Sequence, residues 1–287
     1  MIMLAILLVK PDYGSSMSVE IQPNVMDIHR AFAGTELGQE LATRVRYERY
    51  KDEGVTNERW QELLGADVNN LLHMPLTRGI ARAINRNLRR DQPGFLTSHE
   101  EQVLETAAII HDWAEVIVGD ITYSNKTNQD EAQERNHLHK IIEDVAQMQP
   151  QLAGLIFEAA EGVVFDDHTK LGNIFNTVER VGYMRTALRA SEHIYAGTAA
   201  DCETGFRWLM ADVICNHVVT LVQRADQYVP VQRYLDDRAD YIDRAFAVIE
   251  PTDFDNYDDV TKPVKRLAYN EALAAWAQTT STDCQTA

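Results

Sequence analysis

The stretch Ala107-Ala-Ile-Ile-His111-Asp112-Trp-Ala-Glu115-Val-Ile-Val-Gly119-Asp120 decides how this chain is read. Apart from His111, Asp112 and Glu115, every residue from Ala107 to Val118 is apolar, and a helix that is apolar on all sides belongs in a core. Ionisable groups there are costly unless paired, hydrogen-bonded or bound to a metal. His111 and Glu115 are four residues apart and Asp112 and Glu115 three apart, so a helix presents them as neighbours. An imidazole and two carboxylates at one buried spot, with no basic residue among them, point to metal or catalytic chemistry more than to a buried ion-pair network.

Working outward, Ser98 reads as the N-cap of this helix, with Glu101 at the capping-box position. The helix is expected to run to about Val118, where Gly119 ends it. The rest of the chain has the same character. Helical patterns are expected over Glu36–Lys51, Asn57–Leu72, Pro75–Leu88, Glu131–Gln147, Leu152–Glu161, Leu171–Tyr195, Gly205–Tyr228 and Val231–Ile249. Only the first ten residues and Gly162–Phe165 suggest extended chain, and no repeat has a fixed period. The fold class is therefore all-α. Residues 1–20 are set aside as a poorly ordered segment, and Met17 is a candidate start of translation. Residues 21–200 form the main helical domain, 201–270 supply C-terminal helices packed on it, and 271–287 are expected to be a disordered tail.

Lys+Arg 27 against Asp+Glu 44 gives the 287-residue chain a net charge of −17. An acidic surface repels nucleic-acid polymers and anionic membranes, which excludes both as main partners while leaving a small phosphate substrate open. The apolar run near the N-terminus is too short to span a bilayer and lacks the basic flank and cleavage site of a signal peptide. Three cysteines with no metal or redox spacing fit a reducing compartment, so a cytoplasmic protein is expected.

Two outlying residues extend the cluster. His73, among apolar neighbours in Leu71-Leu-His-Met-Pro75, is a candidate ligand, and Glu179, in a helix suited to burial, can close the site. Two imidazoles and two carboxylates suit one divalent ion such as Mn, Co, Fe or Mg better than a thiolate-loving metal. The basic stripe of Arg78, Arg82, Arg86, Arg89 and Arg90 is either a solvated face or a steering surface for anions. The histidines His137, His139 and His168 read as surface or capping residues.

These motifs resemble the HD phosphohydrolase superfamily, most closely its bacterial 5′-deoxynucleotidase branch. The likeness covers residues 55 to 195 and lies in Arg59-Trp60, His73, the run His111-Asp-x-x-Glu115-x-x-x-Gly119-Asp120, Lys126 and Glu179. It implies an HD-domain helical bundle in which His73, His111, Asp112 and Glu179 bind the metal. It further implies that Glu115 handles the attacking water, that Asp120 lies by the sugar or leaving oxygen, that Arg59 and Lys126 hold phosphate, and that Trp60 shapes the nucleotide pocket. The implied activity is a phosphomonoesterase acting on a small nucleotide-like substrate in a homo-oligomer, a dimer. Hydrolysis of nucleoside triphosphates or signalling nucleotides, a non-catalytic regulatory role on the same scaffold, and a diiron oxygenase using further histidines are the other readings. Where the family has Asp as the last ligand this chain has Glu179, and His73 is flanked by Leu72 and Met74 rather than by polar residues.

Overall fold

A computed structural model describes residues 24–119 and 127–283, and these are all helix, turn and loop. Among the described residues the one β-like contact is an isolated bridge between Val45 and Asn69. The helices in chain order are α1 (Val25–Ala33), α2 (Glu36–Leu41), α3 (Asn57–Leu64), α4 (Asn70–Asp91), α5 (Ser98–Ile110), α6 (Glu115–Val118), α7 (Asn128–Met148), α8 (Ala153–Ala159), α9 (Lys170–Ala196), α10 (Glu203–Ala225), α11 (Val229–Asp237), α12 (Ala239–Val248) and α13 (Thr261–Asp283). The long helix α9 is central: it packs against α10, α4, α5 and α12. α10 in turn carries α11 and α13, so one core runs from Val25 to Trp276. No described helix is long and apolar enough to cross a membrane.

Local chemistry accounts for several boundaries that differ from the sequence reading. The capping box of α5 sits one residue earlier than expected. Thr97 is the N-cap, its backbone N–H donates to the Glu100 carboxylate at 2.7 Å, and Glu100 N–H donates back to Thr97 Oγ1 at 3.1 Å. Glu101 is thereby released to pair with Arg89. The helix expected over Glu36–Lys51 ends at Leu41, because Val45, Tyr47 and Tyr50 turn into the core and Arg46 N–H donates to Val68 O instead. Tyr47 takes a left-handed φ of 62° to make that turn. The run Asn57–Leu72 is split at Gly65, whose φ of 84° stops α3. His73 consequently lies in the first turn of α4, capped by Asn69, and not at the end of an earlier helix.

The C-terminus also departs from expectation. α13 continues to Asp283 where a disordered tail from 271 was expected. Ala272 and Trp276 are buried, and Trp276 Nε1 donates to Asp243 Oδ1 at 2.6 Å, so apolar burial and a satisfied indole hold the helix down. Gly162–Phe165 is not extended; Ala160–Val164 form a π-helical turn. The basic stripe on α4 is tied to α5, since Arg78 and Arg82 reach Glu105 and Arg89 reaches Glu101. Three of its five arginines thus pair with acids of the neighbouring helix, and Arg90 pairs with Asp91. The N-terminal segment 1–20 lies outside the described residues.

Candidate metal centre

The helix expected from Ser98 to Val118 is interrupted where the chemistry lies. α5 stops at Ile110, and His111–Ala114 form a tight turn held by Trp113 N–H to Ile110 O (3.2 Å) and Glu115 N–H to Asp112 O (3.1 Å). Trp113 anchors this turn from behind: it is fully buried and stacks on Phe32 with ring centroids 4.5 Å apart. α6 is a single turn closed by Gly119 at φ 83°. His111, Asp112 and Glu115 are all buried, as the apolar surroundings required.

Asp112 Oδ2 stands 3.2 Å from His111 Nε2 and 3.6 Å from His73 Nε2, and the two imidazole nitrogens are 3.3 Å apart. Three potential donor atoms thus converge, all within 4.8 Å of one another. Metal–nitrogen and metal–oxygen bonds of about 2.1 Å place ligand atoms roughly 3.0–3.4 Å apart in tetrahedral or octahedral sites. The observed spacing is close to that. Asp112 Oδ2 is buried and makes no hydrogen bond of good geometry, its charge being met by His111 at 3.2 Å and by the Arg46 guanidinium at 3.6 Å. The donor types suit a divalent ion of the hard to borderline kind, which would compete with Arg46 Nη1, 2.8 Å away, for the His73 Nε2 lone pair. Glu179 Oε1 lies 3.9 Å from His111 Nε2, beside the tight group and outside it.

The local charges act on each group in a definable direction. Burial, and then the Arg46 guanidinium, push the His73 imidazole well below its ordinary value. Burial also pulls His111 down, but Asp112 and Glu179 outweigh it and hold that ring above its ordinary value. Burial would raise Asp112, but the attraction of His111, Arg46 and His73 prevails and keeps its carboxyl far below the usual range.

Arg46 is the residue the sequence reading missed. It is 3 % exposed, its Nη1 lies 2.8 Å from His73 Nε2, and its Nη2 lies 3.6 Å from Asp112 Oδ2. Its guanidinium is held between the rings of Tyr47 and Tyr183, 5.2 and 5.3 Å from their centroids. An Arg–aromatic pair does stand at the cluster, but it is Arg46-Tyr47. Arg59 instead forms surface pairs with Glu62 and Asp201. Trp60 is fully buried against Phe206, outside the cavity lining, and its Nε1 donates to the Arg46 carbonyl at 3.1 Å. Its effect on the site runs through the Arg46 backbone. The sequence signal for Arg46 was slight: Arg46-Tyr47 is one of five Arg–aromatic dipeptides, with Arg49-Tyr50, Arg59-Trp60, Arg207-Trp208 and Arg233-Tyr234, and it lies inside a segment that reads as helix.

His111, Asp112, Glu115 and Glu179 line a cavity of about 360 Å³. Asn70 Nδ2 donates to Glu115 Oε2 at 2.6 Å, and Arg44 Nη1 donates to the Glu115 carbonyl at 3.0 Å, so this carboxylate is fixed at the cavity wall. Asp120 and Lys126 lie outside the described residues. The other histidines stay away from the cluster: His139 meets Glu161 and His168 is exposed beside Asp167. No protein-family model, curated protein or solved structure matches the chain.

Proposed function

We propose that this chain is a metal-dependent phosphohydrolase of the HD type, acting on a small nucleotide-like phosphate ester, a 5′-(deoxy)nucleotide first of all. One observation carries the reading: two imidazole nitrogens and a buried carboxylate oxygen converge at the spacing of metal ligands, and His111 and Asp112 of that group line a ligand-sized cavity. His73, His111 and Asp112 would hold one divalent ion, Mn, Co, Fe or Mg, with Glu179 beside them as a fourth ligand. The ion, when bound, supplies a hydroxide-like nucleophile at neutral pH and neutralises phosphoryl oxygens.

The remaining work falls to the chain itself. Glu115, oriented by Asn70, accepts the proton of the attacking water. Arg46, clamped by Tyr47 and Tyr183, sets a fixed positive charge behind the cluster, against His73 and Asp112. The acidic surface fits a small substrate and a protein that binds no nucleic-acid polymer. A cytoplasmic location and a homodimer are part of the same proposal.

The test is phosphate release from 5′-mononucleotides and nucleoside triphosphates by metal-stripped protein resupplied with Mn, Co, Fe or Mg. Turnover of monophosphates in at least one metal is expected. Glu115→Ala should lose roughly 10²–10⁴-fold in kcat while retaining metal. No release from any substrate in any metal contradicts the proposal.

A further inference from the structure

His111 and Asp112 of the metal cluster occupy one part of the cavity wall. Another part is built by α9 and α10, where Asn176, Arg180, Asn216 and His217 line the same cavity. His217 is 5 % exposed and Arg180 9 %, so both are buried polar groups whose geometry is fixed. Arg180 Nε donates to Asn176 Oδ1 at 2.7 Å, and Nη1 donates to the Asn216 carbonyl at 3.2 Å. Nη1 also lies 2.8 Å from His217 Nδ1. Arginine only donates, so Nδ1 is the acceptor and the ring proton of His217 sits on Nε2. The ring is stacked on Tyr183, centroids 4.8 Å apart and planes 13° off parallel. Nε2 has no hydrogen-bond partner among the described residues.

We propose that His217, fixed by Arg180 and Tyr183, selects the part of the substrate that is not phosphate, its Nε2–H donating to a hydrogen-bond acceptor such as a carbonyl oxygen or ring nitrogen of a heterocyclic leaving group. Burial, and then Arg180, push the imidazole down to about 3, so this donor keeps one protonation state at neutral pH. A fixed donor in the cavity wall discriminates because a leaving group lacking the acceptor leaves it unpaired. The assignment rests on the hydrolase reading for its assay, but the donor itself does not depend on turnover.

The experiment compares wild type, His217→Phe and His217→Gln on two kinds of phosphomonoester: 5′-nucleotides of the four common bases, and phenyl phosphate, whose leaving group has no such acceptor. The readout is the ratio of kcat/KM between the best nucleotide and phenyl phosphate. His217→Phe should lower that ratio about tenfold, mainly through KM, and His217→Gln, which keeps a donor, should recover part of it. A ratio unchanged in His217→Phe overturns the inference, as does an equal fall on both substrates. Binding of the free nucleosides is measured calorimetrically alongside. If wild type hydrolyses nothing yet binds a nucleoside at least about tenfold more tightly than His217→Phe does, the selector stands and the hydrolase reading falls. If wild type turns over nucleotides but nucleoside binding and the ratio are the same in the variant, the reverse holds.

Discussion

Replacing Lys265 by methionine probes the contact that ties the C-terminal helix α13 to the cavity wall. Lys265 is 5 % exposed and Asp212 2 %, and Lys265 Nζ meets Asp212 Oδ1 at 2.5 Å and Asn216 Oδ1 at 3.1 Å. Removing one partner of a buried pair leaves the other as an uncompensated charge, which costs about 3–5 kcal/mol. Asp212 keeps the Tyr50 hydroxyl and Asn216 Nδ2 as donors and the Arg49 guanidinium at 3.9 Å, which places the expected loss at or below the lower end, about 2–3 kcal/mol. Urea denaturation at constant m-value measures it. A second substitution, Asp212→Asn, removes the stranded charge and preserves an acceptor for Tyr50, so the double variant should be more stable than Lys265→Met alone. The pH dependence supplies a further check. Burial would raise the Asp212 carboxyl, but Lys265 outweighs it and holds the group below its ordinary value. That contribution is complete above the unfolded value of about 3.9 and is lost as pH falls through the lower folded value. The deficit of Lys265→Met should therefore narrow between pH 7 and pH 3. A loss under about 1 kcal/mol, or no recovery in the double variant, refutes the reasoning.

Three other outcomes are expected. Arg46→Met removes a cation that touches His73 and Asp112, so the metal-free protein should melt several degrees lower while the rise in Tm on adding Mn becomes larger; a smaller rise contradicts this. Gly205→Ala would set a Cβ 2.1 Å from the Tyr50 carbonyl oxygen, a backbone atom, and should cost roughly 1–3 kcal/mol in the same urea assay; a neutral effect shows the α10–Tyr50 packing to be looser. Burial first, then neighbouring acids, push the Cys202 and Cys215 thiols up to about 11 and about 12. Both should resist an aromatic disulfide reagent at pH 8 until the protein unfolds, as followed by peptide mapping; fast labelling of either contradicts their burial.

What could be read from sequence was what local pattern dictates. The all-α class followed from helical periodicity without strand alternation, and the burial of His111, Asp112 and Glu115 followed from the apolar run around them. The turn at His111–Ala114 was not legible, because it is imposed by packing Trp113 on Phe32, a contact between residues far apart in the chain. Arg46 was hidden for the same reason: the helix formers of Glu36–Leu41 invite the helix onward, and only the burial of Val45 and Tyr47 in the core ends it. Asp212 and His217 were legible in principle. They sit in Ala211-Asp-Val-Ile-Cys-Asn-His-Val218, where ionisable residues interrupt an apolar helix just as His111 and Asp112 do.

The central claim is that His73, His111 and Asp112 form a cation site. Calorimetric titration of metal-stripped protein with Mn tests it most directly, alongside His111→Ala and Asp112→Ala variants shown by circular dichroism to be folded. The account predicts one ion per wild-type chain and at least about tenfold weaker binding in each variant. Wild type that takes up no ion, or variants that bind as tightly as wild type, would contradict it.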